Sequence, residues 1–353
     1  MEVSKTFSII IPVYNVSRYL VDCLNSVLSQ DVDRECYEII IVDDCSPYGE
    51  KEVVKDFLQQ YHNIKYIRHD VNKRQGGARN TGMRAACGEY VIFLDGDDCF
   101  VYKNVLSILL EYVKKYKPLI LRSERHYQIE SDACYAELGD KIGDIYVKKE
   151  GFACISCSFI EWRSEKIGSV AVWGTLYKRQ FLLENGLFFR ENTLFEDTDW
   201  TQKVLFCAER FDFMDFPYYG YRQSPDSATR GRTVEAFCGA VDGVIESYGF
   251  YKNSIDKDDP FWCVLREIFV EDTINLLMMS RNYAIVDSLK ILGKLNECEL
   301  TNLKSKNWKN NVILSVMSSA LLLIIVLVKI LVVLKRLFVS PLNTSATQAQ
   351  RNP

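Results

Sequence analysis

Tyr90-Val91-Ile92-Phe93-Leu94 is an unbroken apolar run, and it ends in Asp95-Gly96-Asp97-Asp98. A strand with no polar alternation is buried on both faces, which places it in a parallel sheet covered by helices. Three carboxylates around a glycine at its end contribute nothing to packing. Clustered carboxylates repel one another, and a hard cation with oxygen ligands relieves that repulsion. Open α/β sheets also receive their ligands at the carboxyl ends of strands. For this segment alone the competing reading is an acidic turn with helix-capping Asp residues; its surroundings decide against that.

The first hundred residues alternate strand and helix patterns. Phe7 to Val13 is an apolar β-branched run, followed by a helix over Tyr19 to Gln30 with Leu20, Cys23, Leu24, Val27 and Leu28 on one face. Glu38 to Val42 reads as a second buried strand stopping at Asp43-Asp44. Lys51 to Tyr61 reads as one helix, Ile64 to Ile67 as a short strand, and Gly76 to Cys87 as a helix leading into Tyr90 to Leu94. This order predicts an α/β fold with a mainly parallel sheet flanked by helices. Beyond Pro118 the rhythm loosens. Val101 to Tyr116 reads as a helix, Leu119 to Leu121 as a strand, and Val170 to Glu184 as a strand leading into a helix. Asp197 to Glu209 is a further helix, Pro217 to Tyr221 an edge strand or loop, and Val234 to Leu303 a helical region.

With 48% hydrophobic and 25% charged residues, the 353-residue chain has globular composition and exceeds one simple core. A net charge of −4 argues against a nucleic-acid partner held by phosphate neutralisation. Met1 to Thr6 is polar and leads straight into a strand, so no secretory leader is expected. The 12 cysteines are irregularly spaced and expected as free thiols in a reducing compartment. Cys154-Ile-Ser-Cys157 has redox or zinc spacing, but without a second pair or nearby His it reads as chance adjacency.

Four clusters fall at or just after strand ends: Pro12-Val-Tyr14-Asn15, Asp43-Asp44-Cys-Ser46, Gly76-Gly-Ala-Arg79-Asn80-Thr-Gly82, and Asp95-Gly-Asp97-Asp98. Each alone reads equally well as a turn, a cap or a packing glycine. Backbone N–H groups at a helix start beside Arg79 would suit an anion. In this order and spacing the four resemble the family 2 glycosyltransferases of the GT-A fold. Val172-Trp173-Gly174 and Phe195-Glu196-Asp197-Thr-Asp199 extend the likeness, more loosely, to about Arg230. Pro47-Tyr48 departs from the family's usual loop before Gly49.

The resemblance implies a nucleotide-sugar donor, usually a UDP-sugar, and Mg²⁺ or Mn²⁺. Pro12, Tyr14 and Asn15 would lie near the nucleoside, and Asp43 with Asp44 at the base, Asp44 accepting from the uracil N–H. Arg79 would approach the ribose or diphosphate, Asp95 the ribose or donor sugar, and Asp97, with Asp95, the metal. Trp173 would suit a sugar-stacking platform, and a core tryptophan is an equal alternative. A sugar hydroxyl is a weak nucleophile and needs a carboxylate to take its proton, for which Asp197 is the candidate by resemblance. A merely dipole-favouring acidic helix start is the alternative there. Of three histidines, His126 alone could reach a metal, with a surface or capping role the stronger reading. Residues 221–230 would form a lid acting through Arg222 or Arg230, or a plain surface loop.

The expected organisation is a GT-A catalytic domain over 1–232 (nucleotide-sugar half 1–118, acceptor half 119–232) and a helical region over 233–308. A membrane helix or interfacial anchor over 309–336 and a disordered tail over 337–353 follow. Val312 to Leu334 is apolar but for Lys329, long enough for one span, and flanked on both sides by basic residues. The implied reaction is inverting transfer of a hexosyl or N-acetylhexosaminyl group. The acceptor would be a saccharide, lipid-linked, in cell-surface polysaccharide synthesis, at the cytoplasmic membrane with the catalytic domain facing the cytoplasm. The rivals are a processive synthase, disfavoured by a single span and no Gln-x-x-Arg-Trp, a non-catalytic nucleotide-sugar binder or scaffold, and a metal-dependent phosphatase or nucleotidyltransferase.

Overall fold

The computed structural model describes residues 5–47, 49–123, 125–130, 154–164, 170–223, 233–256, 258, 260–280, 283–300, 303–307, 309–311 and 314–315. The chain divides into two compact units, 1–256 and 257–353.

In the first unit the strands are β1 (Phe7–Val13), β2 (Tyr37–Asp43), β3 (Ile64–Arg68), β4 (Tyr90–Phe93), β5 (Cys99–Phe100) and β6 (Ile120–Ser123), then β7 (Tyr127–Ile129), β8 (Cys154–Ser158), β9 (Thr175–Lys178), β10 (Arg210–Met214) and β11 (Tyr219–Arg222). The helices are α1 (Ser17–Leu28), α2 (Glu50–Val53), α3 (Lys55–Gln60), α4 (Arg74–Ala85), α5 (Val105–Tyr116), α6 (Phe159–Ser164), α7 (Arg179–Glu184), α8 (Asp197–Cys207) and α9 (Val234–Ser254). Eight strands form one sheet in the order β3-β2-β1-β4-β9-β6-β10-β8. β9 runs antiparallel to β4 and β6, and β8 antiparallel to β10; the other pairings are parallel.

Strand order reverses at β1: β2 and β3 lie on one side and β4 on the other. A crevice opens outside the carboxyl ends of strands at such a switch point. The register Val13↔Asp43↔Arg68 aligns three strand ends there. Gly82 lets α4 settle on β1, since a Cβ on it would sit 2.3 Å from Ile10 Cγ2. Likewise a Cβ on Gly96 would sit 2.9 Å from both Val13 and Val16, so the acidic turn folds over the end of β1. Leu20, Cys23, Leu24, Val27 and Leu28 of α1 are all buried, as their spacing predicts.

Several elements differ from their expected form. The single helix expected over Lys51 to Tyr61 is two short helices that meet at buried Val54. Buried Glu50 holds the first of them down by accepting the Val16 N–H. The helix expected from Val101 starts at Val105, because Cys99–Phe100 pairs with β11. Nor is β11 an edge strand: it lies between β5 and β7 in a separate three-stranded sheet. β10 is an additional strand, in which Arg210-Phe-Asp-Phe-Met alternates as a half-buried strand should. The first compact unit extends to residue 256 and includes α9, which packs on α8.

The second unit contains α10 (Pro260–Ser280) and α11 (Ile285–Glu297). Glu267 accepts the Ser305 hydroxyl and the Lys306 N–H, which folds the segment after α11 back onto α10. Among the described residues no helix is long and apolar enough to cross a membrane. Apart from residues 314–315, the expected membrane segment Val312 to Leu334 lies outside the described residues, as do the tail over 337–353, most of Glu124 to Ser169, and Arg230.

Candidate active site

The turn after β2 is locked from beneath. Asp43 accepts from the Tyr66 hydroxyl at 2.5 Å and the Ser46 N–H at 2.8 Å, and pairs with Arg68. Burial opposes its charge, but these donors and the Arg68 charge outweigh burial and hold the carboxyl below its ordinary value. Asp44 accepts the Lys73 N–H at 2.7 Å and lies 2.8 Å from His69 Nδ1, whose other ring nitrogen meets the Thr81 hydroxyl. Asp44 thus bolts this turn to the start of α4. Pro12 is buried, whereas Tyr14 is 50% exposed and Asn15, at φ +55°, donates its N–H to Ser46 Oγ. Tyr14, Asn72, Arg74, Asn192 and Glu235 line an open groove of about 370 Å³ beside these turns.

The acidic turn after β4 divides its three carboxylates between tasks. Asp98 is buried; it accepts the Tyr219 hydroxyl at 2.5 Å and the Arg222 N–H at 2.7 Å. Burial first, then the charges of Asp97 and Asp95, push its carboxyl well up. The Tyr219 oxygen also accepts the Asp95 N–H at 3.3 Å, and Arg222 Nε donates to the Asp97 carbonyl at 2.9 Å. Hence β11 sets the turn's backbone. Arg222 is buried beneath the turn, its guanidinium 4.8 Å from the Tyr19 ring centre, which differs from the lid role weighed for it.

Arg79 lies between the two acidic clusters. One guanidinium nitrogen is 2.8 Å from Asp95 Oδ1, the other pairs with Glu196, and the side chain is buried. Burial works against its charge, but Asp95 and Glu196 more than compensate and raise its pKa. The motif arginine is thus committed to two carboxylates. Sequence reasoning assigned no such role to Glu196, although its place beside Asp197 was visible.

Asp197 opens α8. Its carboxyl is pushed up to about 7, by burial first and by the Glu196 charge next, with Arg79 pulling the other way. That value suits a general base near neutrality. The turn delivering it has two non-glycine residues in the left-handed region, Asn192 (φ +60°) and Phe195 (φ +57°). Asp199 is buried between Arg190 Nε (2.7 Å) and Lys203 Nζ (3.0 Å), a structural position. Trp200 stacks on Phe189 with ring centres 4.0 Å apart and anchors α8 to the sheet.

Trp173 is half-buried and stacks on Tyr219 (4.7 Å, 16°) and Tyr221 (5.7 Å, 21°). His126 packs edge-on against it at 4.8 Å, and burial lowers its pKa. Through Tyr219 this aromatic wall adjoins the Asp95–Asp98 turn. Among the described residues no group of three or more His, Cys, Asp or Glu comes together as a metal cluster. Besides Asp98, which is held by Tyr219 and Arg222, the turn carries Asp97 and Asp95, the latter with Oδ1 against Arg79. One or two carboxylates, completed by phosphate and water, is a donor set that fits a hard divalent ion.

Residues 8–139 match the glycosyl transferase family 2 model. This segment is a glycosyl transferase family 2 domain. The chain is 29% identical over 248 residues to glycosyltransferase GlyA of Streptococcus pneumoniae, covering 70% of this chain but only 34% of GlyA. The fold resembles Staphylococcus aureus TarS 1-349 in complex with UDP-GlcNAc, with TM-score 0.56, 16% identity, and coverage of 84% of this chain and 89% of that one. It also resembles the mannosyltransferase PcManGT of Pyrobaculum calidifontis in complex with GDP-Man and Mn²⁺, with TM-score 0.51, 14% identity, and coverage of 90% and 84%. This family 2 domain therefore carries the GT-A-like α/β fold.

Proposed function

We propose that this protein transfers one hexosyl or N-acetylhexosaminyl group from a UDP-sugar to a saccharide hydroxyl, with inversion at the anomeric carbon. The observation that carries the reading is the pair of acidic sites joined by buried Arg79. Asp95 and Asp97 stand at the sheet's switch point, and Asp197 across from them is held at about 7. The acceptor hydroxyl attacks the anomeric carbon as Asp197 takes its proton, and the bond to the diphosphate breaks on the opposite face. Mg²⁺ or Mn²⁺ held by Asp97 and Asp95 would neutralise charge on the leaving diphosphate. Tyr14 and Asn15 present exposed surface to the nucleoside. Asp43 and Asp44 set the turn beside it, and Trp173 offers an aromatic face near the sugar. The complexes of TarS with UDP-GlcNAc and of PcManGT with GDP-Man and Mn²⁺ support a nucleotide-sugar donor and a divalent ion.

The acceptor would be a lipid-linked saccharide of a capsule, O-antigen or exopolysaccharide. The apolar segment Val312 to Leu334 would hold the enzyme at the cytoplasmic membrane, with its catalytic unit facing the cytoplasm, where nucleotide sugars are. Titration calorimetry of UDP with Mn²⁺ or with EDTA tests the donor site. Mn²⁺ should tighten UDP binding in the unsubstituted protein and not in Asp97→Ala. Equal affinity in all four samples would refute the assignment of Asp97.

A further inference from the structure

We infer that Arg190 is a positioning residue that sets the direction of the Asp197 carboxylate, an inference that rests on Asp197 being the base. Arg190 spans both sides of the turn that carries Glu196 and Asp197. Ahead of them, Nη2 donates to the carbonyl of Phe195 at 3.2 Å. Beyond them, Nε donates to Asp199 at 2.7 Å. Nη2 also reaches the Gly239 carbonyl on α9 at 3.3 Å, and Nη1 the Thr193 hydroxyl at 3.5 Å. One guanidinium thus joins the residue before the acidic pair, the helix after it, and the helix packed behind it.

What it holds would not rest there unaided. Phe195 is a bulky residue at φ +57°, a strained conformation that persists only where its surroundings impose it. Glycines make the slot that admits this arrangement. A Cβ on Gly76 would lie 2.2 Å from the Arg190 carbonyl, and one on Gly239 2.2 Å from the Leu194 carbonyl. One on Gly243 would lie 3.1 Å from Arg190 Nη2. Only a planar fork with several fixed donors serves four acceptors at once; a lysine ammonium is a point charge on a flexible stem.

The test compares transfer rate at saturating donor, donor dissociation constant and melting temperature across variants of the full chain. Arg190→Lys keeps the charge and loses the fork. The rate should fall about 10–100-fold, since a small misplacement of a reacting group has that scale of effect, with donor affinity and melting temperature near those of the unsubstituted protein. Lys203→Met removes the other partner of Asp199 and leaves the Phe195 side of the turn alone, so its rate should be retained. If Arg190→Lys fails to fold, Gly243→Ala, which pushes on the guanidinium without deleting it, should give the same selective loss. An undiminished rate in the folded Arg190 or Gly243 variant overturns the inference, as does an equal loss in Lys203→Met, which would mark the network as general support. Asp197→Asn in the same assay separates the two failures: if it transfers normally, the base assignment is wrong, whatever Arg190 does.

Discussion

Asp197→Asn should make the protein more stable while disabling it. Asp197 lies at about 7 in the folded protein against an ordinary 3.8. Between about pH 4 and 7 the folded state therefore holds a proton that the unfolded state has released. Stability falls as pH rises through that window and is flat above it. At 1.36 kcal/mol per factor of ten, the ceiling on this cost is about 4 kcal/mol. Because Asp197 keeps some contact with solvent, about 1–3 kcal/mol is the expected gain on substitution with isosteric, uncharged Asn at pH 8. Urea denaturation of both ligand-free proteins at several pH values reads it directly. The Asn variant should gain progressively from pH 5 to 8, and its transfer rate should fall about 10²–10⁴-fold. In the unsubstituted protein, transfer should rise with pH and level off above about 7. A stability difference that does not change with pH, or a variant less stable at pH 8, would refute the argument that burial and Glu196 raise this carboxyl.

Arg79→Met leaves Asp95 and buried Glu196 without their shared cation. A loss of about 3–5 kcal/mol in denaturation is expected, and a loss under about 1 kcal/mol would mean the bridge is idle. Asp98→Asn turns one acceptor of the Tyr219 and Arg222 hydrogen bonds into a donor. It should lower stability by about 1–3 kcal/mol in denaturation, and an unchanged stability would contradict the structural role given to Asp98.

Much of this architecture was legible because parallel strands announce themselves. β1, β2 and β4 are apolar runs ending in polar clusters, and the amphipathic face of α1 could be read residue by residue. What escaped depends on contacts distant along the chain. Nothing local in Tyr219-Gly220-Tyr221-Arg222 says that its hydroxyl and backbone will order a turn more than a hundred residues earlier. The same holds for Arg79, whose pairing with Asp95 and Glu196 joins segments far apart along the chain. Gly76 in the same motif admits the Arg190 carbonyl, a close approach only the folded chain reveals. The left-handed turn at Phe195 carries no sequence signal, since aromatic residues seldom adopt it.

Transfer is tested most directly by release of nucleoside diphosphate from a panel of nucleotide sugars, with Mn²⁺ or EDTA, supplied with a mixed saccharide-lipid acceptor fraction. Release is expected from one donor class by the unsubstituted protein, abolished by EDTA and by Asp197→Asn, with the sugar recovered on the acceptor. Release of inorganic phosphate or nucleoside monophosphate in its place, or full release by Asp197→Asn, would contradict the proposed reaction.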